Sequence, residues 1–318
     1  MRGRAAVPAL LAAAAAVLAT AASAAAQPPE LAAPYEYLGW GEPQPPAQVI
    51  QETGVQAITL AFVLAHDGCN PEWEGSEPLL GGKDQAAIEA IRAAGAEVVV
   101  SIGGWSGKKL GSACKSAAAL AAAYEDVITA YGLHAIDIDI EHTELSSAKA
   151  RARVATALRL VQLAYPSLEI SLTMPADEEG PEAASASLIA DGAADHLVPY
   201  AWTIMPFDFG PPASDMATAS IRATEGLARD IASSYGIGER EAYEEAGIST
   251  MNGKTDEKSE TVTPANFETM LAFATAHHLA RMTFWSVNRD RECHPARECS
   301  GIAQAPLQFT RLLAGYRG

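Results

Sequence analysis

The chain has 318 residues, a formal charge of −17 and 49% hydrophobic residues. A surface this acidic repels polyphosphate, which excludes nucleic acid as a partner. The length exceeds that of a small module and suits one large α/β barrel or two small domains.

Residues 1–26 read as a secretory signal peptide. Arg2 and Arg4 make a basic start, and residues 5–22 are almost all Ala, Leu and Val, broken by Pro8 and Thr20. Ala24, Ala25 and Ala26 offer the small residues a signal peptidase needs. An uncleaved anchor is the alternative, but the stretch is Ala-rich and only modestly hydrophobic. The mature chain is therefore expected to be secreted, free of the membrane and monomeric. Residues 27–34 form a short Pro-rich lead-in to a domain over 35–318.

Cys69, Cys114, Cys293 and Cys299 are an even set, which in an exported chain reads as two disulfides. Three pairings are open. Cys293 and Cys299 could close a small loop, and Cys69 and Cys114 would then join two distant ones. A zinc site is the alternative, without the usual C-x-x-C pair. No metal and no cofactor are expected.

Eight β-like runs follow in order: 35–40, 57–64, 97–102, 135–141, 168–174, 196–207, 247–251 and 281–287. They are short, β-branched or aromatic, and bounded by Gly and Pro. Helical patterns lie between them at 84–94, 116–130, 145–164, 216–234, 264–278 and 304–315. Asp84 is the expected N-cap of the first, which stops before Gly95. Thr263 and Pro264 open the fifth. Strict alternation predicts an α/β fold with a parallel sheet, and eight rounds predict a single (β/α)8 TIM barrel. The turn after the first strand, Gly41-Glu42-Pro43-Gln44-Pro45-Pro46, cannot cradle a phosphate and argues against a nucleotide-binding open sheet.

The chemistry centres on Asp137, Asp139 and Glu141 in the fourth run. Alternation puts all three carboxyls on one face of the strand, and Ile136, Ile138 and Ile140 on the other. In a closed barrel the acidic face is the interior, where carboxyls must be paired or working. Like charges this close cannot all ionise cheaply, so at least one proton is retained. Glu141, the outermost, is the expected proton donor. Asp139 would support it, and Asp137 would share a proton with Asp139. A carboxylate metal site for Mg²⁺ or Ca²⁺ is the alternative.

These residues resemble glycoside hydrolase family 18, the chitinases. The fourth-strand pattern D-x-x-D-x-D-x-E of that family is matched by His134-Ala-Ile-Asp137-Ile-Asp139-Ile-Glu141. Its S-x-G-G is matched by Ser101-Ile102-Gly103-Gly104, its M-x-Y-D by Met205-Pro206-Phe207-Asp208, and its eighth-strand Trp by Trp285. The resemblance runs through all eight strands and is nearest the compact bacterial branch, which lacks an α+β insertion before the last strand.

It implies cleavage of chitin or chito-oligosaccharides with retention, assisted by the substrate's own N-acetyl oxygen. Glu141 would protonate the leaving oxygen and then activate water, while Asp139 orients the acetamido N–H. His134 replaces the first Asp of the motif and Ala135 the Gly after it. Phe207 replaces the Tyr whose hydroxyl helps hold the acetamide; Tyr200, Thr203 and Asn252 are candidates to substitute for it.

Trp40, Trp105 and Trp285 stand at strand ends as sugar-stacking platforms. Trp202 lies within the sixth strand, where core packing competes with that role. Trp73 reads as a loop anchor or an outer platform. Asp208 would contact substrate or the carboxylate row, and Met205 would pack beside the site. His142 should face away from the core, and Glu144 in the exit turn reads as a solvated acid, with a substrate contact as the alternative. Two rival functions remain: a lectin-like barrel without turnover, and an endo-β-N-acetylglucosaminidase acting on N-glycans.

Overall fold

A computed structural model describes residues 30–210, 215–294 and 298–318, with Gly3 and Pro28. Apart from Gly3, the expected signal peptide lies outside the described residues. The eight barrel strands are β1 (Tyr35–Tyr37), β2 (Ala57–His66), β3 (Glu97–Gly103), β4 (Ala135–Asp139), β5 (Glu169–Asp177), β6 (Ala201–Met205), β7 (Ala246–Met251) and β8 (Arg281–Trp285). Each pairs in parallel with its neighbours in sequence, and β1 pairs with both β2 and β8, so the barrel closes. The expected sixth run was too long; β6 keeps only its middle.

One helix packs outside after each strand: α1 (Pro46–Thr53), α2 (Lys83–Ala93), α3 (Ala117–Tyr131), α4 (Ala148–Ala164), α5 (Ala183–Ala194), α6 (Met216–Tyr235), α7 (Pro264–His277) and α8 (Gln308–Leu313). Thr263 opens α7 with a capping box: its hydroxyl accepts from the Asn266 N–H, and Asn266 Oδ1 accepts from the Thr263 N–H. Asp84 is not the cap of α2. Gly82 takes that position, and Asp84 is buried in the first turn, where burial pushes its carboxyl up to about 6. The pattern expected over 145–164 is divided: a short helix, His142–Ser146, ends before Ser147, whose hydroxyl caps α4 at the Ala150 N–H.

The hydrophobic core lies between strands and helices, not inside the barrel. Val98, Val100, Ile136, Ile138, Ile170, Leu172, Trp202, Ile204, Ile248, Met282 and Phe284 face outward into it. The barrel interior instead holds Tyr35, Thr59, Ser101, Asp137, Ser171, Thr173, Thr203, Arg281 and Thr283, all buried. That is a polar filling where such barrels usually carry branched apolar layers. Every polar group placed there needs a partner, and the site grows out of how those partners are shared.

The lead-in is part of this barrel. Leu31 O accepts from the Met282 N–H, Pro34 O from the Thr59 N–H, and Ala33 O from the Thr59 and Thr283 hydroxyls. Residues 30–34 thus close the floor, so the folded domain begins before residue 35. Both disulfides form as Cys69–Cys114 and Cys293–Cys299, with Cα atoms 4.7 and 4.9 Å apart. The first ties an antiparallel return strand, Asn70–Trp73, to the segment after β3. Trp73 anchors that return: it is buried, and its indole N–H donates to Tyr131 at 2.7 Å.

Candidate active site

The three acids of the fourth strand share the inward face, but their surroundings differ. Asp137 is fully buried and its two oxygens accept from four side chains. Tyr35 and Ser101 donate to Oδ2 at 2.7 and 2.6 Å, and Thr173 and Arg281 donate to Oδ1, each at 2.7 Å. Arg281 also donates to Thr173 at 2.9 Å, and Glu30 Oε2 lies 3.3 Å from its Nε, without hydrogen-bond alignment. Gly247 makes room for Thr203 and the base of the Arg281 side chain: a Cβ there would stand 2.7 Å from Thr203 Oγ1 and 2.9 Å from Arg281 Cβ. Asp137 therefore has no oxygen to spare for Asp139, and the expected shared proton between them is not what the geometry shows.

Asp139 is 4% exposed, and its Oδ1 has no hydrogen-bond partner among the described residues. Burial first, then Glu141 and Asp137, hold its carboxyl well above the usual range. Glu141 lies just past the end of β4, 8% exposed. Burial pushes it up to about 7; Lys109 opposes the shift, and Asp208 and Glu182 add to it. The mouth thus carries two carboxyls that favour the protonated form, above one that is saturated with donors.

The loop after β3 packs against this row because of Gly103. At φ 126° a side chain is disfavoured, and a Cβ would lie 2.0 Å from Asp139 O. The next N–H, of Gly104, donates to that same oxygen at 2.8 Å. Trp105 follows, 67% exposed, with its ring centroid 3.6 Å from that of His142. Lys109 is buried behind it and donates to Ser106 O and Gly103 O. Glu144 is buried too, not solvated: it packs on Gly111, and burial lifts its carboxyl to about 7.

Aromatic rings pave the opposite side. Trp285, half-buried at the end of β8, stacks on Phe62 with centroids 5.5 Å apart and planes at 15°. Tyr37 lies 6.5 Å from Trp285 and 5.6 Å from Trp40, which is 43% exposed. Trp40, Trp105 and Trp285 therefore all offer surface at the mouth. Trp202 does not: it is fully buried among the outer helices.

Other expected site residues are committed elsewhere. Asn252 is fully buried; its amide donates to Ser286 O and accepts from Ser286 N–H, bracing the turn after Trp285. Thr203 lies inside the barrel within 3.5 Å of Arg281, and Tyr200 donates to Ala280 O at the opposite end from Glu141. None of the three supplies a hydroxyl or amide in place of the one missing at Phe207. Phe207 and Met205 are half-buried at the end of β6, and Phe207 packs against the core. Asp208 is exposed at φ 56° and accepts from the Glu257 N–H at 3.0 Å, so it caps a loop while its charge reaches Glu141. His134 is exposed at the start of β4, 3.5 Å from Glu97, so the motif's altered first position is remote from Glu141. Arg281, Tyr35, Phe62 and Lys109 escaped the sequence reading. Only the placement of Arg281 at the start of an interior-facing run hinted at a buried counter-charge.

No family model matches the chain. A probable bifunctional chitinase/lysozyme of Escherichia coli K12 is 25% identical over 260 residues, 77% of this chain but 29% of that protein. Endochitinase 11 of Metarhizium anisopliae is 24% identical over 250 residues, 74% of this chain and 48% of that one. The chain thus spans less than half the length of these curated relatives. The catalytic domain of the hyperthermophilic chitinase from Pyrococcus furiosus superposes with a TM-score of 0.81 at 25% identity, over 92% of this chain and 96% of that one. Catalytic-site mutants of that chitinase's active domain 2, one of them in complex with chito-oligosaccharides, match equally well. The chain is chitinase-like in its barrel and its compact extent, and it shares its fold with a family GH18 chitinase from Chromobacterium violaceum at 18% identity and a TM-score of 0.63.

Proposed function

We propose that the chain is an exported, monomeric glycosidase that cuts β-1,4-linked N-acetylglucosamine polymers, chitin or chito-oligosaccharides, with retention. The observation that carries this is the graded acidic row: Glu141, at the mouth, holds its proton up to about pH 7 above an Asp139 that also favours protonation. Export is read from residues 1–26, and the two disulfides suit an oxidising compartment.

Glu141 gives its proton to the glycosidic oxygen as the C1–O bond breaks. The acetamido oxygen of the same sugar closes on C1, so no second carboxylate is needed across the cleft. Asp139 Oδ1, buried and unpartnered, accepts the acetamido N–H and so orients the acetamide for attack on C1. Glu141, now a carboxylate, takes a proton from water as that water attacks C1 and the ring opens. Trp285, with Phe62 behind it, is the platform beneath the reacting sugar, and Trp40 and Trp105 extend it to either side. With Phe207 lacking a hydroxyl, holding the acetamide falls to Asp139.

The test is incubation with chito-oligosaccharides, following products by chromatography and the newly formed anomer by NMR. Products appearing first as the β-anomer are expected. The α-anomer first would overturn the substrate-assisted route. Binding with no product would favour the lectin-like reading, the one that Phe207 supports. Release of glycans from glycoproteins, with chito-oligosaccharides untouched, would move the substrate to N-glycans.

A further inference from the structure

Lys109 has no part in the reaction described above, yet its setting is costly. Only 3% of the residue is exposed. Its ammonium donates to Ser106 O at 2.5 Å and Gly103 O at 3.4 Å, both neutral carbonyls of its own loop. An ammonium buried against dipoles alone is expensive to keep charged, and burial lowers the pKa of Lys109. Its charge is felt at three acids: Asp139, Glu141 and Glu144.

The loop fixes where that charge sits. Gly104 N–H binds Asp139 O at one end, and Lys108 O accepts from the Ala65 N–H at the other. The backbone carbonyl of Lys109 then accepts from Ser112 and Ala113, opening a short helix, Leu110–Ala113, whose Gly111 packs on Glu144. The disulfide Cys69–Cys114 closes the same segment. A flexible side chain is thus held at one depth behind the acidic row by β2, β3 and the turn after β4.

We propose that Lys109 is a positioning residue for proton transfer, whose ammonium stabilises the carboxylate that Glu141 becomes once its proton has passed to the leaving oxygen. The proposal rests on Glu141 being the proton donor. In that step the Glu141 O–H bond breaks, the sugar oxygen takes the proton and the C1–O electron pair, and a negative charge appears on Glu141. Asp208 and Glu182 repel that charge; Lys109 is the cation that opposes them. Glu144 faces Lys109 and also feels Arg153, Arg281 acts on Asp139, and His142 directly follows Glu141 in sequence. Neutral Glu141 gains little from a nearby ammonium, whereas the charge of the transition state gains much, so the benefit falls on kcat and not on KM.

Lys109→Met removes the charge, and Lys109→Gln removes it while keeping a donor for the loop carbonyls. Both are expected to lower kcat about tenfold with KM nearly unchanged, and to move the alkaline limb of the pH profile up by about one pH unit. Lys109→Arg is expected to restore the limb. A ¹³C NMR titration of labelled glutamate carboxyls, with Glu141→Gln identifying the signal, reads the same displacement without any turnover. An unmoved Glu141 titration in both neutral variants would overturn the proposal, as would failure of both to fold, which would make Lys109 a scaffold residue alone. Turnover surviving in Glu141→Gln would instead sink the proton-donor reading, whatever the Lys109 variants do.

Discussion

Asp137 stands on β4 and Glu141 just past its end, in one acidic row, yet their surroundings are opposite. Four side chains donate to Asp137, among them a buried guanidinium. Glu141 faces the mouth, with burial and two neighbouring acids working against its ionisation. The inner acid holds the barrel interior together, and the outer one is left for chemistry. Residue type and strand periodicity do not separate the two roles; the number of donors each carboxyl meets does.

The largest expected effect breaks the outer end. Glu141→Gln should lower kcat/KM on chito-oligosaccharides on the order of 10²–10⁴-fold or more, since the same group serves both steps. Binding of the oligosaccharide, followed by calorimetry, should persist.

A second prediction uses a buried acid outside the row. Glu144 is raised to about 7 in the folded chain, above its ordinary unfolded value. The folded state therefore binds the extra proton, and stability falls as pH rises from about 4.5 through about 7. Glu144→Gln keeps the shape, and its amide oxygen can still accept from Gly111. It should leave urea stability at pH 4 nearly unchanged and raise it at pH 8 by up to ~3 kcal/mol. Equal effects at both pH values would mean that Glu144 is not buried as a neutral acid.

Trp105→Ala is expected to act least. Losing one exposed stacking face, worth about 1 kcal/mol, should raise KM about fivefold with kcat nearly unchanged. A fall in kcat instead would show that Trp105 also orders the loop over Lys109.

Much of this was legible in the sequence. The alternation of strands and helices, the single barrel and the shared face of Asp137, Asp139 and Glu141 follow from periodicities of two and of 3.6. Two helices were not: α1, hidden behind Pro43, Pro45 and Pro46, and α5, an Ala- and Ser-rich run without a side-chain cap. The partner of Asp137 was out of reach for another reason. Arg281 lies 144 residues away, and no local pattern brings the two together. Lys109 carried no signal in the sequence and Glu144 read as a solvated acid, because the Gly103 turn that folds the loop over them is a tertiary event. Asn252 looked like a free polar group at a strand end until its amide was seen paired with Ser286.

The division of labour along β4 is tested most directly by thermal unfolding of Asp137→Asn beside Glu141→Gln at pH 8. Breaking a buried charge pair costs about 3–5 kcal/mol, so Asp137→Asn should melt far below the native chain. Glu141→Gln removes a carboxyl that the fold disfavours in its charged form and should melt at or above the native temperature. Equal losses in the two variants, or a larger loss in Glu141→Gln, would contradict the account.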